Sequence, residues 1–257
     1  MNKIAKTLAT AVLVAGAGQA LAEVKPTFAL GTELYEETYR EWVDGQRFMK
    51  ERASMTAITG DLHLAFDQQN ALRVAGRYAW GTSDYTGAYQ GMPYGSLTDS
   101  GQARRAYDIR ATYEWTTFSM RYPLTASVGA GYRNLVDRLD QSGPGGYRRE
   151  SEYFYGTIGI GTAMKVGDGS WTFSPKMSYQ HLLRGFQHSG DDLNAQTKGY
   201  GLEVSTALSR PLGAGCASLT PFYRYWKIAD SKMNYAAGIM EPQNQTHEFG
   251  INLSYRF

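Results

Sequence analysis

The sequence has few of the features by which several protein classes are recognised. Among its 257 residues it has one cysteine, Cys216, so no disulfide can form within the chain. It has 8 prolines, and a formal net charge of +2 gives no reason to expect a nucleic-acid partner. Beyond the N-terminal segment there is no apolar run of about 18 residues, the length that a membrane-spanning helix needs. Any membrane span in this part of the chain must therefore consist of strands.

The N-terminal segment has the organisation of a secretory signal peptide. Lys3 and Lys6 precede an apolar stretch at residues 8–17, and small residues at 20–22 form a cleavage pattern. The apolar stretch is too short to span a bilayer. We predict a signal peptide at residues 1–22, read by the Sec pathway, and a single domain at residues 23–257 with no linker.

The rest of the chain alternates between apolar and polar side chains, with 19 tyrosines and 29 glycines. Alternation with period two is typical of strands whose two faces meet different surroundings. Because only every second residue would meet lipid, a membrane barrel is compatible with the mean hydropathy of −0.42. We predict ten strands at residues 28–42, 54–66, 72–83, 104–117, 124–135, 152–165, 171–186, 198–209, 219–229 and 246–257. The connections alternate between short and long, with long outward loops at residues 43–53, 84–102, 136–151, 187–197 and 230–245.

The last strand carries the clearest pattern. Phe249, Ile251, Leu253, Tyr255 and Phe257 fall on one face of it, and the other face is polar. This strand resembles the closing strand of bacterial outer-membrane β-barrels, in which an assembly machinery reads a C-terminal aromatic signal. Tyr255 and Phe257 match that signal.

The resemblance is to small Gram-negative outer-membrane barrels of the porin-like or OmpA-like class, and to no specific member. It implies an all-β fold, a closed antiparallel transmembrane barrel of about ten strands, with eight or twelve as alternatives. It also implies a location in the outer membrane. The expected partners are outer-membrane lipid and lipopolysaccharide, the barrel-assembly machinery and periplasmic chaperones.

The inward positions of the predicted strands carry a nearly balanced set of charges. A ten-stranded barrel is narrow, so we expect ion pairs across the lumen that largely fill it. The alternative is a narrow, porin-like channel for small ions or solutes, with Glu33, Glu37 and Glu41 lining a cation route. The predicted lumen-lining residues are Glu33, Glu37, Glu41, Asp61, Asp108, Glu114, Glu203, Glu248, Arg73, Arg77, Arg110, Arg133, Lys176, Arg184, Arg224 and Arg256.

The predicted outward loops place aromatic and soft apolar side chains among Gly, Ser, Asn and Gln, a composition suited to binding surfaces. The candidates for contact with an unknown extracellular ligand are Tyr85, Tyr89, Tyr94, Tyr147 and Tyr235.

Catalytic patterns are weak. Omptin proteases use an acidic pair and an Asp-x-His pair at the extracellular rim. In this sequence the corresponding candidates are only Asp84, and His188 followed by Asp191 and Asp192. The candidates for a Ser/His pair in acyl transfer or lipid modification are His181 with Ser178 and His188 with Ser189, but neighbouring positions on a strand point to opposite faces. The four histidines are scattered, so we predict no metal, no cofactor and a non-enzymatic barrel, with a rim hydrolase as the alternative.

Overall fold

The computed structural model describes residues 24–88, 92–117, 122–141, 146–234 and 240–257. These residues form one antiparallel sheet of long strands. The strands are β1 (Lys25–Val43), β2 (Gln46–Ala65), β3 (Asn70–Gly87), β4 (Leu97–Thr116), β5 (Leu124–Arg138), β6 (Arg148–Thr162), β7 (Met164–Val166), β8 (Trp171–Ser189), β9 (Asp192–Gln196), β10 (Gly199–Leu212), β11 (Gly215–Ile228) and β12 (Gln243–Arg256). No helix in these ranges is long and apolar enough to cross a membrane.

The sheet closes on itself into a ten-stranded barrel, as predicted. Each long strand pairs with its sequence neighbours, and β1 pairs with β12 from Ala29↔Arg256 to Trp42↔Gln243. Two short strands complete the wall: β7 follows β6 after a break at Ala163, and β9 pairs with the top of β8 just before β10 begins. The closed ladder therefore leaves no free sheet edge along the wall, as a membrane span made of strands requires.

The outer face of the barrel carries a continuous apolar band. Leu34, Ile58 and Phe249 are 54%, 58% and 67% exposed, which is expected of side chains that meet lipid. Aromatic side chains bound this band at both ends, where amphipathic rings are most stable. The upper level contains Tyr78, Trp80, Tyr107, Tyr179 and Tyr223, and the lower level contains Phe28, Tyr113, Trp115, Trp171 and Phe257.

The barrel wall extends well beyond the band on the side opposite the chain termini. Three of the five long loops predicted there, at residues 43–53, 84–102 and 187–197, are mostly strand: β1 and β2, for example, continue to a two-residue turn at Asp44 and Gly45. Both turn residues have positive φ, 49° and 76°, as in the tight hairpin turns that suit strand twist. The polar ends of the strands thus form a tall extracellular collar above the membrane.

The core of the molecule is inside the barrel. Tyr35, Tyr39, Met49, Met55 and Phe222 belong to one buried apolar cluster in the lumen. Tyr153, Tyr155, Leu182 and Trp226 belong to a second one, in which the Tyr155 and Trp226 rings meet edge to face at 5.2 Å. The glycines at inward positions make room for these rings: a Cβ on Gly131 would lie 2.4 Å from the ring of Tyr155.

Two predicted placements are wrong. Arg184 lies on the outer face, because a bulge inserts Leu183 between the positions paired with Tyr155 and Phe154 and reverses the alternation. Its guanidinium stacks over Phe186. Tyr85, predicted in a loop, lies on β3 and packs against the lumen cluster.

Candidate functional site

The upper lumen contains two arginines, Arg104 and Arg149, that between them bind four carboxylates. Nε of Arg104 donates to Oε1 of Glu37 at 2.6 Å, and its Nη1 donates to Oε2 of Glu51 at 2.6 Å and to Asp137. Nη2 of Arg149 donates to the same Glu51 oxygen at 2.6 Å and to Oδ2 of Asp137 at 2.8 Å. Glu51 and Asp137 therefore tie both arginines into one network.

Arg149 also holds the fourth carboxylate of this network. Its Nη1 donates to Oε1 of Glu41 at 2.8 Å, and the hydroxyl of Tyr39 donates to the same oxygen at 2.7 Å. The Tyr39 ring lies under both guanidinium groups, 4.6 Å from Arg149 and 5.6 Å from Arg104. Such cation–π contacts are strongest where water is excluded. Arg104 and Arg149 are only 1% and 2% exposed, so both guanidinium groups are largely shielded from water.

The four carboxylates outnumber the two arginines in this upper layer. This excess of negative charge affects the pKa values of the acidic groups in and above the layer. Burial and the neighbouring Asp137 raise the pKa of Glu51 to about 7. Burial raises the pKa of Asp137, whereas the Arg104 and Arg149 guanidiniums lower it. The combined effect of the two cations is the larger, so the pKa of Asp137 is lowered. Burial and nearby Glu41 raise the pKa of Glu241, on the connection above the barrel, to about 8. Glu51 in the upper layer and Glu241 above it therefore titrate near neutral pH.

A second layer of ion pairs lies below the first. Glu248 forms ion pairs with two arginines. Its Oε2 lies 2.8 Å from Nη1 of Arg77, and its Oε1 lies 2.8 Å from Nη2 of Arg133. Nη2 of Arg224 donates to Glu33 at 2.8 Å, and Arg77 also reaches Glu33. Here three arginines face two carboxylates, the reverse of the imbalance above. The two layers are joined by Arg133, whose Nη2 lies 3.8 Å from Glu37.

Below these layers the lumen opens into a cavity of about 650 Å³. Its walls carry further cross-lumen pairs, among them Arg110 with Glu203 at 2.8 Å and Arg73 with Asp61 at 2.5 Å. Arg133 and Trp226 line its upper part, and Cys216 and Arg256 lie near its periplasmic end. The cavity is thus a vestibule on the side of the chain termini that extends up to the second ion-pair layer, of which Glu33, Arg77, Arg133 and Arg224 line it.

The structure brings together the predicted lumen charges, with Arg184 as the exception. The tyrosine hydroxyl of Tyr155 donates to Asp108 at 3.0 Å, and Lys176 lies 3.3 Å from Glu114. Four network members were missed. Glu51, Asp137 and Arg149 fall in segments predicted as loops, and Arg104 is the first residue of a predicted strand but was not assigned to the lumen. The alternation of the strands indicates the inward positions. Every second residue of β2 continues to face inward from Met55 to Glu51, and every second residue of β4 does so from Ala106 to Arg104.

The extracellular rim carries the binding candidates. Tyr94 and Tyr147 are 39% and 42% exposed, and the Arg47 guanidinium lies 5.8 Å from the Tyr94 ring centre. Tyr89 and Tyr235 lie outside the described residues, as does the predicted signal peptide. Tyr255 and Phe257 lie at the periplasmic end, where Phe257 stacks on Phe28 at 6.5 Å.

The predicted catalytic candidates do not converge. His188 faces outward and lies 3.4 Å from Glu152 across the wall. Asp84 accepts the backbone N–H of Gly101 at 3.3 Å. Within the described part of the chain, no group of three or more His, Cys, Asp or Glu side chains is placed to hold a metal ion.

A closed antiparallel barrel with an outer apolar band and a polar, charge-filled lumen defines the outer-membrane β-barrel proteins of Gram-negative bacteria, and the fold implies that location. The outer membrane protease OmpT from Escherichia coli has a similar structure, with 9% sequence identity, a TM-score of 0.61, and coverage of 94% of this chain and 99% of that one.

Two further barrels match with lower scores. OprG from Pseudomonas aeruginosa has 7% identity and a TM-score of 0.40, over 93% of this chain and 99% of its own. The neisserial surface protein NspA has 12% identity and a TM-score of 0.36, over 90% and 97%. No protein-family profile and no curated protein sequence matches the chain. At these identities the likeness concerns the fold alone.

Proposed function

We propose that this protein is a non-enzymatic outer-membrane barrel with a closed lumen, and that it acts by binding an extracellular ligand at its rim. The observation that carries the proposal is the pair of ion-pair layers. Arg104, Arg133 and Arg149 are at most 2% exposed and reach across the lumen to carboxylates on other strands. A lumen filled in this way serves as a rigid support for the collar above it.

The collar supplies a suitable binding surface. Met92, Tyr94, Tyr147 and Met233 are 58%, 39%, 42% and 44% exposed on the outward connections. Tyrosine offers a large contact area together with a hydroxyl, and it loses little conformational entropy on binding. Because the barrel holds both ends of each connection, little ordering is required when a ligand binds.

A glycan array tests the binding role, because exposed tyrosines and Arg47 suit saccharide rings and acidic sugars. The array is probed with the folded wild-type protein in detergent and, in a separate experiment, with the double variant Tyr94→Ala/Tyr147→Ala. We expect a subset of glycans to bind the wild type, with loss of that binding in the double variant. The matched control is Phe48→Ala, an aromatic side chain that is 46% exposed elsewhere on the collar. Equal loss in the control variant, or no binding by the wild type, contradicts the rim assignment.

Single-channel recording in a planar bilayer tests the closed lumen. We expect no resolved openings from the folded wild type, because the ion-pair layers interrupt the water path. A narrow channel is the competing function, and the 650 Å³ vestibule is the observation that favours it. If stable openings occur, and if Glu37→Ala and Arg77→Ala change their ion selectivity, the channel replaces our proposal.

Hydrolysis at the rim is the remaining alternative, and the likeness in fold to a protease makes it worth an assay. The described geometry supports a binding role instead, since His188 pairs with Glu152 on the outer wall. We expect no cleavage of a fluorogenic peptide library and no release of fatty acid from phospholipid vesicles. Turnover that is abolished by His188→Ala contradicts the non-enzymatic assignment.

We also propose that the chain is exported through the Sec pathway and folded by periplasmic chaperones and the barrel-assembly machinery. The aromatic side chains Tyr255 and Phe257 on the last strand support this proposal.

A further inference from the structure

The vestibule in the lower lumen is a polar cavity that the proposed rim function does not use. Its volume of about 650 Å³ is within the range of about 300–1,000 Å³ that is usual for small-molecule sites. Thr116, Thr162 and Arg256 line it, and each is the last residue of its strand, β4, β6 and β12 respectively. The cavity therefore reaches the periplasmic ends of the strands, where a solute can enter it.

Two ion pairs of the vestibule present their cations to the cavity and keep their carboxylates behind. Arg73 pairs with Asp61, and the exposed fractions of these side chains are 34% and 21%. Lys176 pairs with Glu114, and the exposed fractions are 35% and 11%. All four side chains line the cavity, so they are exposed to the lumen and not to lipid. A solute that enters the vestibule therefore meets more of the cations than of the carboxylates.

The lining of the vestibule also carries more cations than anions. Seven Lys or Arg side chains and five Asp or Glu side chains line the cavity. Glu248, which is 1% exposed and does not line it, pairs with Arg77 and balances one of these cations. Arg256, near the entrance, has no salt-bridge partner within the described residues. The excess positive charge attracts anions from the periplasm into the cavity.

One side of the vestibule wall carries a row of hydroxyl groups. Ser174, Ser205, Thr220 and Ser254 line the cavity from the neighbouring strands β8, β10, β11 and β12. None of these four hydroxyls forms a hydrogen bond within the part of the chain that the structure describes. Each of them can both donate and accept a hydrogen bond. Ser205 is directly opposite Lys176 in the register of β8 and β10, so the hydroxyl groups adjoin the cations.

This combination selects the chemistry of a ligand. A carboxylate forms its strongest hydrogen bonds with the ammonium of a lysine or the guanidinium of an arginine. The hydroxyls of a sugar ring both donate and accept hydrogen bonds, as the serine and threonine hydroxyls do. A small molecule that carries both kinds of group fits the two sides of the cavity at once.

We propose that the vestibule binds a small polyhydroxylated anion, a sugar acid. Its carboxylate lies between Arg73 and Lys176, and its hydroxyls contact Ser205 and Thr220. Because the ion-pair layers lie above the cavity, the ligand enters and leaves on the periplasmic side. This site is at the opposite end of the barrel from the rim and goes beyond the function proposed there.

Calorimetric titration of the folded protein in detergent tests the selectivity with three probes. Glucuronate has a carboxylate and ring hydroxyls, glucose has the hydroxyls alone, and acetate has the carboxylate alone. We expect glucuronate to bind at least about tenfold more tightly than either of the other two, because only glucuronate uses both sides of the site. Absence of glucuronate binding, or an equal affinity for acetate or glucose, overturns the inference.

Cys216 reports where the ligand binds, since its side chain lines the same cavity. Saturating glucuronate should slow the labelling of Cys216 by a small uncharged maleimide, and glucose at the same concentration should not. Glucuronate that binds without slowing this labelling occupies another place, and the vestibule is then not the site.

Substitution of Lys176 tests the cationic side of the site. Lys176→Gln should weaken glucuronate binding by about tenfold, because it removes a hydrogen bond between charged groups. The matched control is Lys198→Gln, which removes an exposed lysine next to β10 that does not line the vestibule. An equal loss in the two variants, or no loss in Lys176→Gln, contradicts the assignment.

Substitution of the hydroxyl groups tests the other side. Ser205→Ala/Thr220→Ala should weaken glucuronate binding by about fivefold and leave acetate binding unchanged, since acetate has no hydroxyls to lose contact. The control Ser209→Ala/Ser218→Ala removes two hydroxyls of the same wall that bond to each other at 2.8 Å, and it should leave glucuronate binding unchanged. If the two double variants have the same effect, these hydroxyls do not contact the ligand.

Discussion

Arg104 on β4 and Glu37 on β1 meet across the interior of the barrel, with 2.6 Å between Nε and Oε1, although two strands separate them in the wall. Neither side chain is more than 1% exposed. Contacts across a longer stretch of the wall join Arg133 on β5 to Glu248 on β12, and Arg149 on β6 to Glu41 on β1. These contacts bring together sides of the sheet that face each other in the closed barrel. The ion-pair layers therefore couple lumen filling to barrel closure.

Substitution of Arg149 tests how much this network stabilises the barrel. Arg149→Met leaves Glu41, Glu51 and Asp137 without one of their cations in a buried site. Removing one partner of a buried ion pair costs about 3–5 kcal/mol, because an uncompensated charge remains. We expect a loss of this size in the free energy of unfolding, measured by denaturant titration in detergent.

Arg138→Met provides the control for that measurement. The side chains of Arg138 and Asp140 form an ion pair that is 37% and 34% exposed, and exposed pairs contribute less than about 1 kcal/mol. If Arg149→Met destabilises the barrel no more than Arg138→Met does, the network is a consequence of closure and not a source of stability.

The surplus carboxylates predict an unusual dependence of stability on pH. The pKa of Glu51 is raised to about 7 and that of Glu241 to about 8 in the folded protein, whereas a glutamate in the unfolded chain has a pKa of 4.5. Above pH 4.5 the folded protein therefore retains protons that the unfolded chain has released. Rising pH therefore lowers the free energy of unfolding, by up to about 1.4 kcal/mol per pH unit for each group. This contribution is complete below pH 4.5 and is lost as the pH passes through 7 to 8.

Denaturant titrations at pH 5, 7 and 9 measure this dependence, and Glu241→Gln should reduce the slope between pH 5 and 9. The groups that act on Glu241 are Glu41, Arg149 and Ser189, and the variant leaves all three in place. Asp191→Asn, which removes an exposed carboxyl at a neighbouring turn, should leave the slope unchanged. Stability that rises from pH 5 to pH 9 in the wild type is the result that contradicts this assignment.

The sequence is sufficient to predict the barrel and most of its lumen, because alternation is a local property. Asp108, Arg110 and Glu114 can be assigned to the inner face of β4 from their spacing alone, and all three line the lumen cavity. The tops of the strands are harder to predict. Around Lys50, Glu51 and Arg52 both faces are polar, since the outer one meets water and the inner one meets the charge network, so the alternation of hydrophobicity is lost.

Two other features require the three-dimensional structure. The extra residue Leu183 reverses the face on which Arg184 lies, and nothing in the local pattern indicates the bulge. The pairing of Arg104 with Glu37 depends on the relative heights of two strands that are not neighbours. These heights are set by the stagger of the whole barrel, which the alternation of a single strand does not contain.

Close approach of the backbone makes Gly250 a sensitive position in β12. A Cβ at this glycine would lie 2.3 Å from the carbonyl oxygen of Leu34 and 2.4 Å from Cβ of Tyr35. We expect Gly250→Ala to lower the free energy of unfolding by about 1–3 kcal/mol, the usual cost of forcing extra volume into a packed interior.

Gly60→Ala is the matched control for Gly250→Ala, since nothing lies within 4 Å of the added Cβ. This variant should be neutral or should stabilise β2 by about 0.5–1 kcal/mol, because glycine is unfavourable within a strand. Denaturant titration of both variants compares them directly. Equal effects of the two substitutions would show that the seam between β1 and β12 is looser than described.

The single cysteine allows a direct test of lumen closure. Cys216 lines the periplasmic vestibule, below the layers that contain Arg133 and Arg149. A small, charged, thiol-specific reagent should therefore label Cys216 from the periplasmic side and not from the extracellular side.

The experiment uses vesicles that contain the barrel in one known orientation, with the reagent added to one side at a time. Cys216→Ser/Ser100→Cys, which moves the thiol to an exposed position near the rim, should reverse the pattern. Labelling of Cys216 at similar rates from both sides requires a water path through the ion-pair layers, and the proposal of a closed barrel would then fail.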